Sequence, residues 1–326
     1  MEIARMLKNR GLAGTFFLNI YEYPRWGEAA MRGIAVKLQA SGQDVALHTH
    51  PETVYDPARS EMFQYSLEEQ TSIIRDGVRL LTAWTGRPVV AHRAGGYSAD
   101  DRTLESLKRN GLRVDSSFFW GHPSSHLNGL GLFRNLPSYP SRLTEIPVTV
   151  YMREERPRLL GNLLAPVTTV RKIDPNWFID EQEARSAIDA IAEAAPPVIV
   201  VFLHSFSLLA EQGGDGVPKA DDHSRDILRA IIDHVHEKRF EVVTMRDIAE
   251  WKTVAVPSRD QDIVPKVTVR VGLHRYLWHR LRAEGTGAMI VSAVLLTFVF
   301  GGAGLLAARR WRSGRNSTTR SNVSPQ

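Results

Sequence analysis

The run Val198-Ile-Val-Val-Phe-Leu203 is apolar at every position, and a strand without a polar face has to be covered on both sides. Helices crossing over parallel strands provide that cover, and the rest of the chain keeps the same rhythm. Gly14-Thr-Phe-Phe-Leu-Asn19, Asp44 to Thr49, Pro88-Val-Val-Ala91, Leu112 to Ser116, Glu145 to Val150 and Phe240 to Met245 read as further strands. Pro147 marks the fifth of these as an edge or a bulge. Helical patterns alternate with them: Met1 to Arg10, Ala29 to Gln39 with Ile34, Val36 and Leu38 apolar, Asp180 to Ala194, Asp222 to Lys238 and Arg246 to Trp251. Ser66 and Glu69 form a capping box ahead of a helix through Ile73, Ile74, Leu81 and Trp84 that Gly86 ends. Ser98 and Asp101 read as a second capping pattern, opening a helix with Leu104 and Leu107 inward.

At 326 residues and 43% apolar composition, the chain has enough material for a substantial core. Cysteine is absent, so disulfides and thiolate metal sites are excluded, while the compartment stays open. The formal charge of +5 is concentrated from Lys266 onward, and no zinc knuckle, recognition helix or arginine-rich groove motif accompanies it; nucleic-acid binding is not expected. No protein partner is inferable.

The chemistry-bearing residues fall at the C-terminal ends of predicted strands, where parallel α/β folds carry their sites. His48 and His50 stand two apart on one strand and share a face. Two neutral imidazoles placed this way can chelate one divalent metal; the plain alternative is a polar strand end meeting water. Arg93, in His92-Arg93-Ala-Gly-Gly-Tyr97, follows a second strand, and His204 follows the apolar run. With Tyr97, these residues make the parts of a metal-assisted hydrolase: a metal polarises a carbonyl and a histidine protonates the leaving group.

Taken in order, Gly14-Thr-Phe-Phe-Leu, Gly42-Gln-Asp-Val-Ala-Leu-His-Thr-His50, His92-Arg-Ala-Gly-Gly-Tyr97, Asp115-Ser-Ser117, Glu145-Ile-Pro-Val148 and Phe202-Leu-His-Ser205 resemble the motif ladder of the polysaccharide deacetylase (NodB-homology, carbohydrate esterase) family. The resemblance covers roughly residues 1 to 252. It implies a distorted (β/α) barrel and a divalent metal, usually zinc, held by one aspartate and two histidines. It also implies removal of acetyl groups from an N-acetylated cell-envelope glycan, by a hydrolase of non-peptide amide bonds. His48 would be the first histidine ligand, Arg93 would orient the catalytic base, the amide near Tyr97 would help hold the oxyanion, and His204 would be the general acid.

Two departures stand out. The family's commoner histidine pair is spaced i and i+4, where this chain has Glu52; His50 is the expected second ligand and Glu52 the alternative. The family's first motif, a strand ending in paired aspartates that supply a ligand and the base, has no counterpart ahead of Gly14, where Glu2 is the sole acid. The chain is therefore expected to be an N-terminally truncated barrel lacking its first strand, its start codon placed too far downstream. The competing readings are a carbohydrate-binding or scaffold protein that keeps the fold without the base, and a hydrolase of a non-sugar amide.

Residues 253–286 read as a linker and basic juxtamembrane segment, and 309–326 as a short basic tail. Gly287 to Ala308 carries no charge and matches the ~20 apolar residues of a membrane-spanning helix. A single-pass membrane protein is expected on this basis. Five basic residues on each side leave its orientation open. The catalytic domain would be extracytoplasmic if an upstream signal is missing, and cytoplasmic if Met1 is the true start.

Overall fold

A computed structural model describes residues 1–139, 143–159, 161, 163–210, 219–251 and 263–284. The chain divides into two compact units, Met1–Met152 with Val170–Val267, and Arg153–Thr169 with Thr268–Gln326. The first unit opens with helix α1 (Glu2–Lys8), strand β1 (Thr15–Asn19) and helices α2 (Tyr23–Trp26) and α3 (Glu28–Ala40). Then come β2 (Asp44–Thr49), α4 (Leu67–Thr85), β3 (Ala91–Ala94), α5 (Asp101–Arg109), β4 (Val114–Asp115) and β5 (Thr144–Glu145). The five strands form one sheet of order β1-β2-β3-β4-β5, parallel throughout, as the alternation of strands and helices requires.

Local chemistry sets the element ends. Ser66 Oγ accepts from Glu69 N at 3.3 Å and the Glu69 carboxylate accepts from Ser66 N at 2.8 Å, which closes the expected capping box on α4. Gly86 ends that helix in the left-handed region at φ 68°. Gly77 allows α4 to lie directly on the sheet, because a Cβ there would sit 2.3 Å from Tyr21 Oη and 2.8 Å from Leu47. One face of the sheet packs Leu47 against Leu38, Ile73, Ile74, Leu81, Leu104 and Leu107 of the helices. The other face gathers Ala46, Ala91, Val114, Ile146, Val200 and Met245.

Later elements are β6 (Val150–Pro157), β7 (Val167–Lys172), α6 (Glu181–Glu193), β8 (Leu209–Ala210), β9 (Lys219–Ala220), α7 (Asp222–Glu237), α8 (Met245–Glu250), β10 (Lys266–Val271) and α9 (Leu273–Glu284). β6, β7 and β10 make a three-stranded sheet of order β10-β6-β7, and β8 pairs with β9. In the second unit the buried Tyr276 of α9 donates its hydroxyl proton to Ala165 O at 2.7 Å.

Several expectations need correction. The sheet of described strands is open, with β1 and β5 at its edges, so closure into a barrel is not observed among the described residues. Val198 to Leu203 makes only an isolated bridge, Ile173 to Val201. Phe202 N makes that bridge's bond to Ile173 O at 2.8 Å, whereas Val200 N donates to a side chain, Thr149 Oγ1, at 2.8 Å. Phe240 to Thr244 is likewise no strand. Phe240 N closes the end of α7 on Val235 O at 3.1 Å, and Thr244 caps α8.

The strand expected at Pro88 to Ala91 begins only at Ala91; proline brings no N–H to a ladder. The cap of α5 is Asp100 with Thr103; Ser98 instead accepts from Met62 N and donates to Gly95 O. In α3 the buried stripe is Met31, Ala35 and Leu38 at helical spacing, whereas Ile34 and Val36 are exposed.

The membrane assignment is also corrected. Among the described residues no helix is long and apolar enough to cross a bilayer, and residues 287–308 lie outside the described residues. The last described helix, α9, has 12 residues and carries Arg275, Arg280 and Arg282; at ~1.5 Å per residue it reaches only about 18 Å, short of a hydrocarbon core of about 30 Å.

Candidate active site

The parallel register brings Asn19 opposite His48 and His48 opposite Arg93, so three polar side chains share one face at the C-terminal ends of β1, β2 and β3. His48 Nδ1 lies 2.6 Å from Arg93 O. A carbonyl only accepts, so Nδ1 carries the proton and Nε2 is the ring nitrogen left for a ligand. Burial, and then the neighbouring His50, push the His48 pKa down to about 3, which holds the ring in the neutral form that coordinates metals. The His48 and His50 rings meet edge to face with centroids 5.0 Å apart, as the two-residue spacing implies.

His50 owes its position to Gly95, where a Cβ would come within 2.5 Å of the imidazole. Glu52, the alternative ligand, stands 3.7 Å from His50 Nδ1, too far for a hydrogen bond.

Arg93 is buried. Its Nε donates to Ser116 O at 2.8 Å and Nη2 to Ser116 Oγ at 2.7 Å, and its guanidinium lies 4.3 Å over Phe17 and 4.9 Å over Phe202. No carboxylate pairs with it among the described residues, and burial lowers its pKa to about 10. A buried cation whose only carboxylate attraction, from Asp115 and Glu145, acts without direct contact is costly and marks a place for an anion or a strongly polarised oxygen.

Gly96 and Tyr97 both lie in the left-handed region, at φ 58° and 60°. For an aromatic residue this costs about 1–3 kcal/mol, and the reversal carries the Tyr97 ring against Phe119 and His122 at 4.9 Å each and Phe202 at 5.6 Å. His204 stands edge-on to Phe202 at 4.9 Å and stacks on Phe206 at 4.6 Å. Partial burial and then the Lys172 ammonium hold the His204 pKa below the usual histidine range. Phe202 thus joins Arg93, Tyr97 and His204 into one neighbourhood, while Asn19, His48 and Arg93 are joined through the strand register.

Sequence reading missed two clusters. Lys172 and Asp174 reach the Tyr97 neighbourhood from the end of β7. Their segment carries no motif, and only the fold places it there. The second cluster lies on the helix-covered face: Thr49 Oγ1 is 3.0 Å from His92 Nε2, His92 Nδ1 is 2.8 Å from Asp115 Oδ1, and Ser117 donates to Asp115 Oδ1 at 2.9 Å. Burial opposes ionisation of Asp115, but the hydrogen bond and charge of His92, together with hydrogen bonds to Glu145 and Ser117, outweigh it and hold the pKa down. Burial, then the Asp115 charge, push Glu145 well up. Burial and the neighbouring Asp115 charge thus favour the protonated form of Glu145. Both residues sat in quoted motifs; the signal that could have found them is an acid in an otherwise apolar strand.

A divalent metal, which the family resemblance implies, meets a partial donor set. Among the described residues no group of three or more His, Asp or Glu side chains could hold a metal ion. The two imidazoles fit one, and two buried acceptor oxygens in the same region have no hydrogen-bond partner, Asn19 Oδ1 and Glu52 Oε2.

The fold and site together define an α/β protein with a parallel sheet and a polar site at its strand ends. Solved structures similar to it are carbohydrate esterase family 4 (CE4) proteins and polysaccharide deacetylases. One is described as a polysaccharide deacetylase, from Mycobacterium smegmatis, at 17% identity, covering 83% of this chain and 80% of that one, with a TM-score of 0.48. Another is the Xyl-CE4 domain of a multidomain xylanase from the hindgut metagenome of Trinervitermes trinervoides, at 13% identity, covering 81% and 89%, with a TM-score of 0.42. A CE4 family pseudoenzyme from Bacillus anthracis matches at 20% identity over 35% of this chain, with a TM-score of 0.29; the match spans 36% of that protein's chain. No family model matches the sequence, and no curated protein does either.

Proposed function

We propose that residues 1–252 form a metal-dependent hydrolase that removes acetyl groups from an N-acetylated glycan. The observation that carries this reading is the alignment of Asn19, His48 and Arg93 in register on one face, with His204 joined to Arg93 through the Phe202 ring. His48 through Nε2 and His50 would hold the metal, with Asn19 Oδ1 or Glu52 Oε2 as the oxygen donor. When bound, the metal, zinc by family resemblance, supplies Lewis-acid polarisation of the acetyl carbonyl and a more acidic water.

The remaining work falls to the chain's own side chains. The Arg93 guanidinium, fixed by Ser116, supplies positive charge beside the acyl group without reorganising. His204 is the proton carrier at the leaving nitrogen. Its depressed pKa favours the neutral ring at rest, which takes a proton from the attacking water and passes it to the leaving nitrogen. Phe17, Phe202 and Tyr97 exclude water and strengthen these electrostatic contacts.

A second reading has its own support. With no three-residue donor group and no carboxylate on Arg93 among the described residues, the same fold would serve as a carbohydrate-binding or scaffold protein. Comparing a panel of acetylated oligosaccharides with simple amides, with acetate and free amine measured together, separates these possibilities. Acetate released from the sugars and not from the simple amides supports the proposal; glycan binding without acetate supports the second reading, and turnover of simple amides alone points to a non-sugar hydrolase.

A further inference from the structure

Lys172 enters the reading above only through its charge on His204, yet it is one of the most constrained side chains near the site. It is 3% exposed; its ammonium lies 3.1 Å from Tyr97 Oη, 3.0 Å from Asp174 Oδ2 and 3.6 Å over the Phe202 ring. An ammonium has protons and no lone pair, so in the contact with Tyr97 the phenol oxygen accepts. The phenol's own proton is therefore directed elsewhere, and no acceptor takes it among the described residues. Tyr97 is itself 8% exposed, and burial raises its pKa, so the proton stays on the oxygen.

A buried donor without an acceptor is expensive to maintain unless a ligand supplies one. The left-handed backbone at Tyr97 points the same way, since strain of this kind persists where surrounding contacts fix a functional geometry. Asp174 balances the Lys172 charge, so the cluster as a whole is neutral and suits a neutral polar oxygen better than a free anion.

We propose that Tyr97 and Lys172 act as one unit in which the Tyr97 hydroxyl donates a hydrogen bond to the acyl oxygen of a neutral amide. Lys172 is a positioning residue that polarises the phenol and fixes its rotation. No covalent bond to the phenol forms or breaks. The contact strengthens as negative charge grows on the acyl oxygen, so its effect falls on turnover more than on binding. The inference rests on the deacetylase reading for its kinetic consequence and stands apart from it for binding.

Two measurements on the full chain test it. In zinc-loaded protein, Tyr97→Phe is expected to lower kcat about 100-fold with KM within about twofold, as for a lost oxyanion donor. Lys172→Met should approach the same loss, Lys172→Arg should recover part of it, and the double variant should be no worse than Tyr97→Phe alone. Additive losses in the double variant would overturn the claim that the pair is one unit. The second measurement needs no turnover and no lysine variant: acetamide is titrated into protein carrying 13Cζ-tyrosine, with the Tyr97 resonance identified by its absence in Tyr97→Phe. A saturable shift of that resonance supports the proposal. An unmoved resonance overturns it, even if acetate release is normal; absence of turnover with a saturable shift overturns the deacetylase reading and leaves this one standing.

Discussion

Replacing Glu145 by glutamine changes one atom in the fully buried pair with Asp115, and its effect on stability has a calculable sign. Glu145 Oε1 accepts from Phe118 N at 2.9 Å, and the other oxygen, a buried atom without a hydrogen-bond partner as is Asp115 Oδ2, is the one left to carry the proton that burial and the Asp115 charge favour. The folded pKa of Glu145 is raised, so its contribution is fully present below the unfolded pKa of about 4.3 and is lost as pH rises toward the folded value. Over that window the group reduces stability by about 1.4 kcal/mol per pH unit. Asp115 works in the opposite sense: its folded pKa is lowered, so its contribution is present at neutral pH and lost on acidification. A glutamine at 145 accepts from Phe118 N and donates to Asp115 without a titrating proton. Urea unfolding from pH 5 to 8, followed by circular dichroism, should therefore show a flatter stability profile for Glu145→Gln than for the parent, the variant gaining relative stability as pH rises. Glu145→Ala, by contrast, leaves a buried amide unpaired and a void, at about 3–5 kcal/mol. Equal slopes for parent and Glu145→Gln, or equal destabilisation by Gln and Ala, would refute the account of a protonated Glu145.

Other consequences follow from single contacts. Gly77→Ala would gain about 1 kcal/mol in helix propensity, but the new Cβ lands 2.3 Å from Tyr21 Oη and overpacking costs about 1–3 kcal/mol; a net loss of stability is expected in urea titration, and a gain would contradict the close approach. Gly95→Ala puts a methyl 2.5 Å from the His50 ring, and calorimetry should show zinc affinity falling at least about tenfold with an unchanged far-ultraviolet spectrum. The acid limb of kcat/KM should lie below about pH 6.5, the ordinary histidine value, because His204 is depressed by burial and by Lys172 and Arg93, against the opposing Asp174. Lys172→Met should move that limb upward in pH; a downward move would contradict the electrostatic assignment.

How far the sequence was legible depended on whether a residue's role was local. The Ser66 and Glu69 box, the Gly86 stop and the shared face of His48 and His50 follow from spacing alone, and all three are observed. Val198 to Leu203 looked like the strongest strand because apolarity reports burial, and Val200 and Phe202 are indeed buried. Apolarity does not specify which group takes each backbone proton, and here Thr149 and Ile173 do. Phe240 to Thr244 failed for a related reason, its residues being used to end one helix and begin the next. In the site, Arg93 and His204 were visible as polar residues closing apolar runs. Lys172 and Asp174 were not, since nothing near them in sequence relates them to Tyr97, 75 residues away.

The central claim is that residues from separate strand ends form one metal-dependent hydrolytic site. Its most direct test measures bound zinc and acetate release together, on one N-acetylated oligosaccharide, for the full chain and for His48→Ala. The account predicts about one zinc per chain and acetate release that chelation abolishes and zinc restores, with both lost in His48→Ala. Acetate release by a His48→Ala protein that still holds a full equivalent of zinc would contradict it.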